Sequence, residues 1–513
     1  MKYRIKKHLP YLIGLVALVY YVILSAKDYT WVFLSGDSGD WLACANWWMV
    51  PQPYGSPLYI ILGRLIGLLP GSQPLNLTIL LSCLPSAITV GLVYLTVKHL
   101  TDSSKEASTA STGSSRSSFT IPLISSLVLL GSAVFLSQST VLEEYALATM
   151  FLTAAIYTYV RGNKVLTMTL LGLGTAVHIF VGILLLAWVI AEWKNWKQWL
   201  KPAVIYGVIV GVSYSFTLLL MAMDTPRLLA GGLNFYSVQF YWTATTGAIL
   251  GQLSLFEAPT RLLYLGALVL ASFGLALIPI CSSCRRPITK PTILLSGIIL
   301  ITLWYYGTNL DPAAWTFVAF ASPALSVLCG LGLHKLEARA PKNSDIGLHR
   351  LNSHYMYVVA VGAVALVLIN GVFLNANTLT NENPMASTYR RELQSLPDDS
   401  IVLTTPGAYG LGLFYTMSEG KDLVPLVYHY LDSWEFTDYA TWLRDNHEIL
   451  VLPSTLDTIE ANLKTVPIYF AGSPNVDYPI EPALELEDIG RTFVKRVKGL
   501  TGLPPLPEFR EVK

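Results

Sequence analysis

The chain has 513 residues, of which 53% are hydrophobic and only 13% are charged. Soluble domains average roughly 25% charged residues, so this composition excludes an ordinary soluble protein and predicts a polytopic α-helical membrane protein. The formal net charge is +1. Because the basic residues form only short clusters beside apolar segments, nucleic acid is excluded as a partner.

Apolar stretches that suit helices crossing about 30 Å of hydrocarbon recur along the first three quarters of the chain. The first follows a basic N-terminus and has no convincing cleavage site after it, so we interpret it as an uncleaved membrane helix. The predicted membrane stretches lie near residues 9–26, 76–97, 119–137, 145–160, 165–191, 203–223, 261–280, 292–308, 313–334 and 355–376.

The stretch 165–191 is too long for one ordinary crossing. The positive-inside rule places the basic N-terminus in the cytoplasm. With a single crossing here, the later basic clusters at 194–201, 285–290 and 335–350 would all lie outside. A hairpin that breaks near His178 returns them to the cytoplasm. The charges therefore predict about 11 membrane helices including this short hairpin, with an extracytoplasmic C-terminal region.

Two acids, Asp37 and Asp40, follow the first membrane segment in an aromatic stretch that is otherwise nearly free of charge. Ionised groups beside a membrane are costly unless water, a cation or a substrate satisfies them. This favours a catalytic role for the pair. A second interpretation is that Asp37 or Ser38 only caps the helix that contains Trp41.

Further polar residues fall on the same predicted exofacial side. Glu143 and Glu144 adjoin a helix start, where acids favour the dipole whatever their function. His178 is either a buried, satisfied histidine or a phosphate or substrate contact. Arg227 is either a phosphate contact or an interface anchor, and Arg64 on a short interfacial helix is equally ambiguous.

After Thr380, short apolar runs alternate with polar helical stretches. The runs lie near 401–405, 423–428, 448–452 and 466–470, with a helical pattern at 434–446. Strands that alternate with helices indicate an α/β domain. The sequence therefore predicts a transmembrane domain at 1–378 and a small extracytoplasmic α/β domain at 379–513.

The strings Gly36-Asp37-Ser38-Gly39-Asp40-Trp41 and Pro53-Tyr54-Gly55-Ser56-Pro57-Leu58-Tyr59 resemble the signature of DUF2723. This polytopic family is related to the protein O-mannosyltransferases. Gln52 stands where the family usually has a histidine, and Tyr54 stands where it has a second proline. Three further stretches are similar to the family, namely 137–147 with its Glu-x-Tyr-Ala-Leu element, 171–178 with its glycine-rich segment ending in histidine, and 396–404.

The resemblance implies a GT-C fold glycosyltransferase that moves a sugar, mannose by analogy, from a polyprenyl phosphate to a hydroxyl of a protein or glycan. In that superfamily the first exofacial loop carries the essential acid, so Asp37 is the expected base. Asp40 is expected to orient the acceptor or bind a divalent metal, Mg²⁺ or Mn²⁺, and Glu143 takes the family's acid position. Glu144, His178, Arg227, Tyr54 and Arg64 are the expected substrate-binding residues.

Two other classes of function remain open. A transporter or flippase of lipid-linked glycans usually shows internal repeats and a polar site near the bilayer midplane. This sequence shows no repeat, and its acids gather on one predicted face. A membrane scaffold that displays the C-terminal domain would leave the acid pair unexplained.

Overall fold

The computed structural model describes most of the chain, with gaps. The described residues are 2–26, 38–46, 56–71, 73–106, 119–222, 258–283, 289–308, 316–338, 346–375, 383–404, 408–427, 449–452, 454–472, 476–477, 480–502 and 510–511. They belong to two compact units. The first contains residues 1–25, 77–214 and 245–378, and the second contains 26–76, 215–244 and 379–513.

Helices dominate the described residues up to Asn375, as the composition predicts. In chain order they are α1 Lys2–Leu24, α2 Ser38–Asn46, α3 Pro57–Gly67, α4 Gln73–Thr78, α5 Leu84–Glu106, α6 Thr120–Leu130, α7 Ala133–Ser139, α8 Glu144–Val160, α9 Lys164–Val177, α10 Phe180–Ala191, α11 Leu200–Ala222, α12 Ala258–Phe273, α13 Leu277–Ser283, α14 Lys290–Thr308, α15 Val318–Ala338 and α16 Ile346–Asn375. Short 3₁₀ segments at Trp193–Trp199 and Gly274–Ala276 join α10 to α11 and α12 to α13.

Membrane-crossing length is reached by three helices of the described chain, Gln73–Ser103, Trp193–Leu220 and Val318–Glu337. The bent pair α6 and α7 would make a fourth if it is one span. Shorter apolar helices accompany them at His8–Leu24, Pro57–Gly67, Lys164–Val177, Phe180–Ala191, Lys290–Tyr306 and Tyr357–Phe373. The number of about 11 membrane helices therefore stays a prediction.

A five-residue π-helix, Ile79–Cys83, joins α4 to α5. A π turn has one extra residue per turn and is frequent at functional sites. Here it carries Ser82, whose Oγ lies 3.4 Å from the carbonyl oxygen of Glu143 and 3.5 Å from its amide nitrogen. The irregular turn thus meets the segment that leads into α8.

The predicted single span at 119–137 is bent by 68° between α6 and α7. Ser132 begins the second helix, because its Oγ accepts from the amide of Phe135 at 3.5 Å. Gly131 lies against α16, where a Cβ would come 3.0 Å from the backbone nitrogen of Val367. The Gly131 carbonyl also accepts from Asn370 Nδ2 at 2.6 Å. A larger residue at position 131 would force α16 away from the bend between α6 and α7.

The predicted break in the stretch 165–191 is confirmed. Helix α9 ends at Val177 and α10 begins at Phe180. Lys164, at the start of α9, donates to Gln198 Oε1 just beyond the end of α10, and its Nζ lies 5.8 Å from the Trp199 ring centroid. Collinear helices of this length would hold these ends about 40 Å apart. The two helices therefore form a hairpin with His178 at its turn.

The open end of the hairpin contains a largely buried acid, Glu192, immediately after α10. Tyr159 Oη and Lys290 Nζ each donate to its carboxylate at 2.8 Å, and Asn195 Nδ2 donates at 3.2 Å. Burial alone would raise the pKa of this carboxyl. The three hydrogen bonds lower the pKa below its ordinary value of 4.5.

We expect this network to make the stability of the protein depend on pH below about 4.5. A carboxyl whose pKa is lower in the folded state contributes stability that is present above its unfolded pKa and is lost as the pH falls through its folded pKa. The Glu192→Gln variant lacks this contribution. Unfolding midpoints are therefore expected to differ between wild type and variant near pH 7 and to converge in acid. A difference that persists unchanged at pH 3 would contradict this account.

The second unit contains a small α/β domain, as predicted. Its helices are α17 Asn383–Gln394, α18 Ala408–Ser418 and α19 Thr455–Asn462. Its strands are β1 Ser400–Thr404, β2 Leu423–Val427, β3 Ile468–Ala471, β4 Val476–Asp477, β5 Leu484–Asp488, β6 Val494–Leu500 and β7 Arg510–Glu511. Five of them form a sheet in the order β2-β1-β3-β6-β5, and β4 pairs with β7.

The sheet is mixed. β1 pairs in parallel with β2 and β3, whereas β3, β6 and β5 pair antiparallel. Its apolar side chains, among them Leu403, Leu426 and Phe470, form a buried cluster with Ile459 of α19. Alternating strands and helices produce the parallel part, and the hairpin β5–β6 adds the antiparallel edge.

The predicted strand at 448–452 is wrong. Residues 449–452 are described and are not a strand. Their backbone groups are bonded instead by side chains of α19, since the amide of Leu450 donates to Asn462 Oδ1 at 3.0 Å and the amide of Leu452 donates to Thr458 Oγ1 at 2.9 Å. The predicted helix at 434–446 lies outside the described residues.

Candidate active site

The structure describes only part of the acid motif. Asp37, Tyr54 and Arg227 lie outside the described residues. Asp40 belongs to α2, which begins at Ser38, and its side chain is likewise outside what the structure describes. The roles of these four residues stay predictions.

Helix α2 is firmly packed. Its residues Trp41 to Ala45 are almost fully buried, and the Trp41 ring meets Tyr59 of α3 edge-on with centroids 4.6 Å apart. Its last residue, Asn46, donates from Nδ2 to Ser418 Oγ of α18 at 3.0 Å. The helix that carries Asp40 is therefore held by α3 on one side and by the C-terminal α/β domain on another.

Arg64 contacts the C-terminal end of α2. Its Nη1 donates to the carbonyl oxygen of Ala45 at 2.8 Å and also to that of Asn46. The last carbonyls of a helix have no partner within the helix. A cation near them also interacts favourably with the negative end of the helix dipole. These contacts support a positioning role for Arg64, while its predicted contact with substrate stays a prediction.

Replacing Arg64 by alanine is expected to lower the free energy of unfolding by about 1–3 kcal/mol, because two helix carbonyls lose a charged donor. Arg64→Lys, which keeps one cationic donor, is expected to recover part of this loss. Denaturant titration of the purified variants measures both. A matched control is Arg391→Ala, since Arg391 bonds only within its own helix among the contacts seen, and it is expected to change little.

A reduced turnover of Arg64→Ala at unchanged unfolding free energy would contradict the positioning role. That result would favour the predicted contact with substrate.

Glu143 and Glu144 open α8 and are both buried, with exposed fractions of 4% and 1%. Glu143 occupies the N-cap position, yet its side chain makes no capping hydrogen bond. Its backbone is instead held by Ser82 of the π-helix. Its predicted roles, in the site or at the helix dipole, stay predictions.

The turn of the hairpin brings His178 to the start of α8. Its Nε2 lies 3.4 Å from Glu144 Oε1, and both side chains are about 2% exposed or less. Its Nδ1 accepts the backbone N–H of Phe180 at 3.1 Å. Because Nδ1 is an acceptor, the neutral imidazole carries its proton on Nε2, where it faces the Glu144 carboxyl.

Aromatic rings surround this pair. The ring of Tyr145 lies 5.1 Å from His178, and those of Phe317 and Phe320 lie 5.3 and 5.4 Å from it. Water is thus largely excluded from the contact between Glu144 and His178. Electrostatic interactions are stronger in such an environment than in solvent.

Metal-ligating residues do not cluster in the described part of the chain, where no three histidine, cysteine, aspartate or glutamate side chains come together. The side chains of Asp37 and Asp40 lie outside that part of the chain. A divalent metal bound by Asp40 therefore stays a prediction.

The structure thus brings two predicted residues together, Glu144 and His178, and sets Glu143 beside Ser82. Sequence reasoning missed Ser82 and the aromatic ring of Phe317. Phe317 directly precedes α15 and Phe320 lies in its first turn, so their spacing by three positions was a usable signal. The π turn that presents Ser82 has no signature in this sequence.

Solved structures share this fold. The crystal structure of ArnT from Cupriavidus metallidurans bound to undecaprenyl phosphate is similar to it with a TM-score of 0.61 at 14% identity, over 97% of this chain and 99% of that one. ArnT in the apo state gives the same TM-score and identity over 96% and 98%. With its long apolar helices, the chain is an integral membrane protein.

Residues 37–201 match the family described as protein O-mannosyl-transferase TMEM260 N-terminal domain. The match begins at Asp37 and ends beyond the hairpin, so it includes Glu144 and His178. It supports relatedness to protein O-mannosyltransferases, while the DUF2723 resemblance itself stays a prediction. A comparison with curated protein sequences found no match.

Proposed function

We propose that the chain is a membrane glycosyltransferase that moves a sugar from a polyprenyl-phosphate donor to a hydroxyl of a protein or glycan. One observation carries the proposal. The segment that matches the protein O-mannosyl-transferase family starts at the acid motif and includes the buried Glu144–His178 pair, within a GT-C fold shared over 97% of the chain. Mannose is the first sugar to test, and the exofacial surface is the proposed side of reaction.

Asp37 is the proposed base. The acceptor oxygen attacks the anomeric carbon, the bond from that carbon to the phosphate oxygen breaks with its electron pair, and Asp37 takes the hydroxyl proton. The products are the glycoside and the free polyprenyl phosphate. The leaving group needs no proton if cations meet its charge, for which Arg227 is the proposed contact and a metal at Asp40 a further one.

Glu144 and His178 are proposed to hold the turn of the hairpin rigid. The Nε2 proton of His178 faces the Glu144 carboxyl, and the backbone of Phe180 fixes the other ring nitrogen. A site that depends on placement within fractions of an ångström needs such support from outside the reacting groups. Glu143, next in sequence, is proposed to act directly on substrate.

The test is transfer by the purified protein in lipid vesicles. Polyprenyl-phosphate mannose is the donor, and peptides rich in serine and threonine are the acceptors. Mass spectrometry of the peptide and of the released polyprenyl phosphate is expected to show both products in equal amounts.

Movement of intact donor across the vesicle membrane, with its sugar–phosphate bond uncleaved, would instead indicate a flippase. If no donor sugar is transferred to any hydroxyl acceptor, the proposal is wrong.

A further inference from the structure

The open end of the hairpin has an amphipathic surface that the catalytic proposal does not use. In the 3₁₀ segment Trp193–Trp199, Trp193 is 71% exposed and Trp196 is 53% exposed. Lys194, Lys197 and, just beyond, Lys201 are exposed beside them. Tryptophan and lysine together at the end of apolar helices are typical of the membrane–water interface.

A cavity of about 610 Å³ opens behind this surface, between α9, α10 and α11. Apolar side chains such as Leu185, Val189 and Ala203 line it, together with the indoles of Trp188 and Trp199. The adjoining face of α11 is exposed, with Val204 at 65% and Val208 at 58%. In a membrane this face meets lipid, so the cavity is reached from the bilayer.

Two residues of the cavity lining have buried hydrogen-bond donors that lack acceptors. Trp188 is 2% exposed and Trp199 is 8% exposed. Across the residues that the structure describes, neither indole N–H has a partner. Buried indole N–H groups usually find an acceptor. Both nitrogens are buried within the protein, so a ligand in the cavity could accept from them only if the indole rings turned toward it.

The segment that contributes Trp193, Trp196 and Trp199 to the cavity lining is positively charged. Between residues 192 and 201 the chain has three lysines and one acid. That acid, Glu192, is already bonded to Lys290 at 2.8 Å. Lys194, Lys197 and Lys201 therefore remain to meet negative charge, and clusters of this kind attract anionic lipid head groups.

We propose that this cavity binds an anionic glycerophospholipid. One acyl chain fills the apolar space beside Trp188 and Trp199, and the phosphate faces the three lysines. The turn of the hairpin at His178 lies at the other end of α9, which has 14 residues and is about 20 Å long. The lipid site is therefore separate from the Glu144–His178 pair, and it stands whether or not the proposed transferase activity is found.

Native mass spectrometry of the full-length protein in detergent tests the proposal. Palmitoyl-oleoyl phosphatidylglycerol and the matching phosphatidylcholine are titrated separately. We expect one tightly bound phosphatidylglycerol per chain and at least tenfold weaker binding of phosphatidylcholine. The variant K194Q/K197Q/K201Q is expected to bind phosphatidylglycerol ten- to a hundredfold more weakly, since each lysine near an anionic surface contributes up to about fivefold.

A second variant tests the cavity itself. Ala203→Phe places a ring where the acyl chain is proposed and keeps all the charges, so it is expected to weaken phosphatidylglycerol at least tenfold. A matched control neutralises three lysines of the α/β domain, K464Q/K495Q/K498Q, and is expected to bind as wild type does.

Equal affinity for phosphatidylglycerol and phosphatidylcholine would overturn the proposal. Unchanged affinity for phosphatidylglycerol in both K194Q/K197Q/K201Q and Ala203→Phe would overturn it as well. Glycerol 1-phosphate that binds as tightly as phosphatidylglycerol would also overturn it, because the site would then be one for free phosphate.

Discussion

Replacing Asp37 by asparagine is expected to lower turnover by about 10²–10⁴-fold, which is the usual contribution of a positioned general base. Asparagine has nearly the same shape as aspartate but cannot take the proton of the acceptor hydroxyl. Initial rates with polyprenyl-phosphate mannose and a serine-rich peptide measure the effect. Binding of the donor is expected to change little, since the base acts on the acceptor.

The variant Asp40→Asn distinguishes the role of Asp40 from that of Asp37. If Asp40 binds a metal, its variant is expected to need a higher concentration of Mg²⁺ or Mn²⁺ to reach the same rate. Asp398→Asn is the matched control, because Asp398 is a solvent-exposed acid of the α/β domain paired only with Lys421 among the ion pairs seen. Wild-type turnover in Asp37→Asn would remove Asp37 from the mechanism.

Replacing His178 by alanine is expected to lower the free energy of unfolding by about 3 kcal/mol. The change removes a ring that is packed among aromatic side chains, and it leaves the buried Glu144 carboxyl without the facing N–H. His178→Gln can return an N–H group near the position of Nε2 and is expected to recover part of the loss. The free energy of unfolding of wild type, His178→Ala and His178→Gln is measured in mixed micelles of dodecyl maltoside and dodecyl sulfate.

Glu144→Gln completes this comparison. Glutamine keeps the volume and an oxygen acceptor at 3.4 Å from Nε2, so the expected loss is about 1 kcal/mol or less. Loss of turnover in His178→Ala at unchanged unfolding free energy would show that the histidine acts on substrate. Equal stability of His178→Ala and wild type would contradict the positioning role.

Much of the helical architecture could be predicted from sequence, because apolar length and basic clusters are direct consequences of membrane physics. The hairpin at His178 followed from the parity of the charged loops, and the bond between Lys164 and Gln198 confirms it. The bend at Gly131 could not be predicted in this way. It depends on the close approach of α16, which is far away in sequence.

The strand error at 448–452 has a similar cause. The run Ile449 to Leu452 has the composition of a strand. Its hydrogen bonds are made by Asn462 and Thr458, two polar side chains on one face of α19. Local propensity cannot reveal that a side chain several residues later will replace a neighbouring strand.

The types of residue in the candidate site could be predicted from sequence, but the contacts between them could not. Glu144 and His178 were each identified as polar groups that an apolar environment has to accommodate. Their pairing depends on where two helices break, and a shift of one residue in either would separate them. The contacts of Arg64 with the end of α2 could not be predicted either, because they depend on how α2 and α3 pack.

The packing of α2 against α18 affects how the acid motif can be studied. Asn46 is bonded to Ser418, and both belong to the same compact unit. A shortened protein ending at residue 378 would expose the buried side of the helix that carries Asp40. Inactivity of such a truncation would then report a disordered acid motif, and it would say nothing about whether the C-terminal domain binds substrate. Point substitutions on the far side of the sheet are the better probes of that domain.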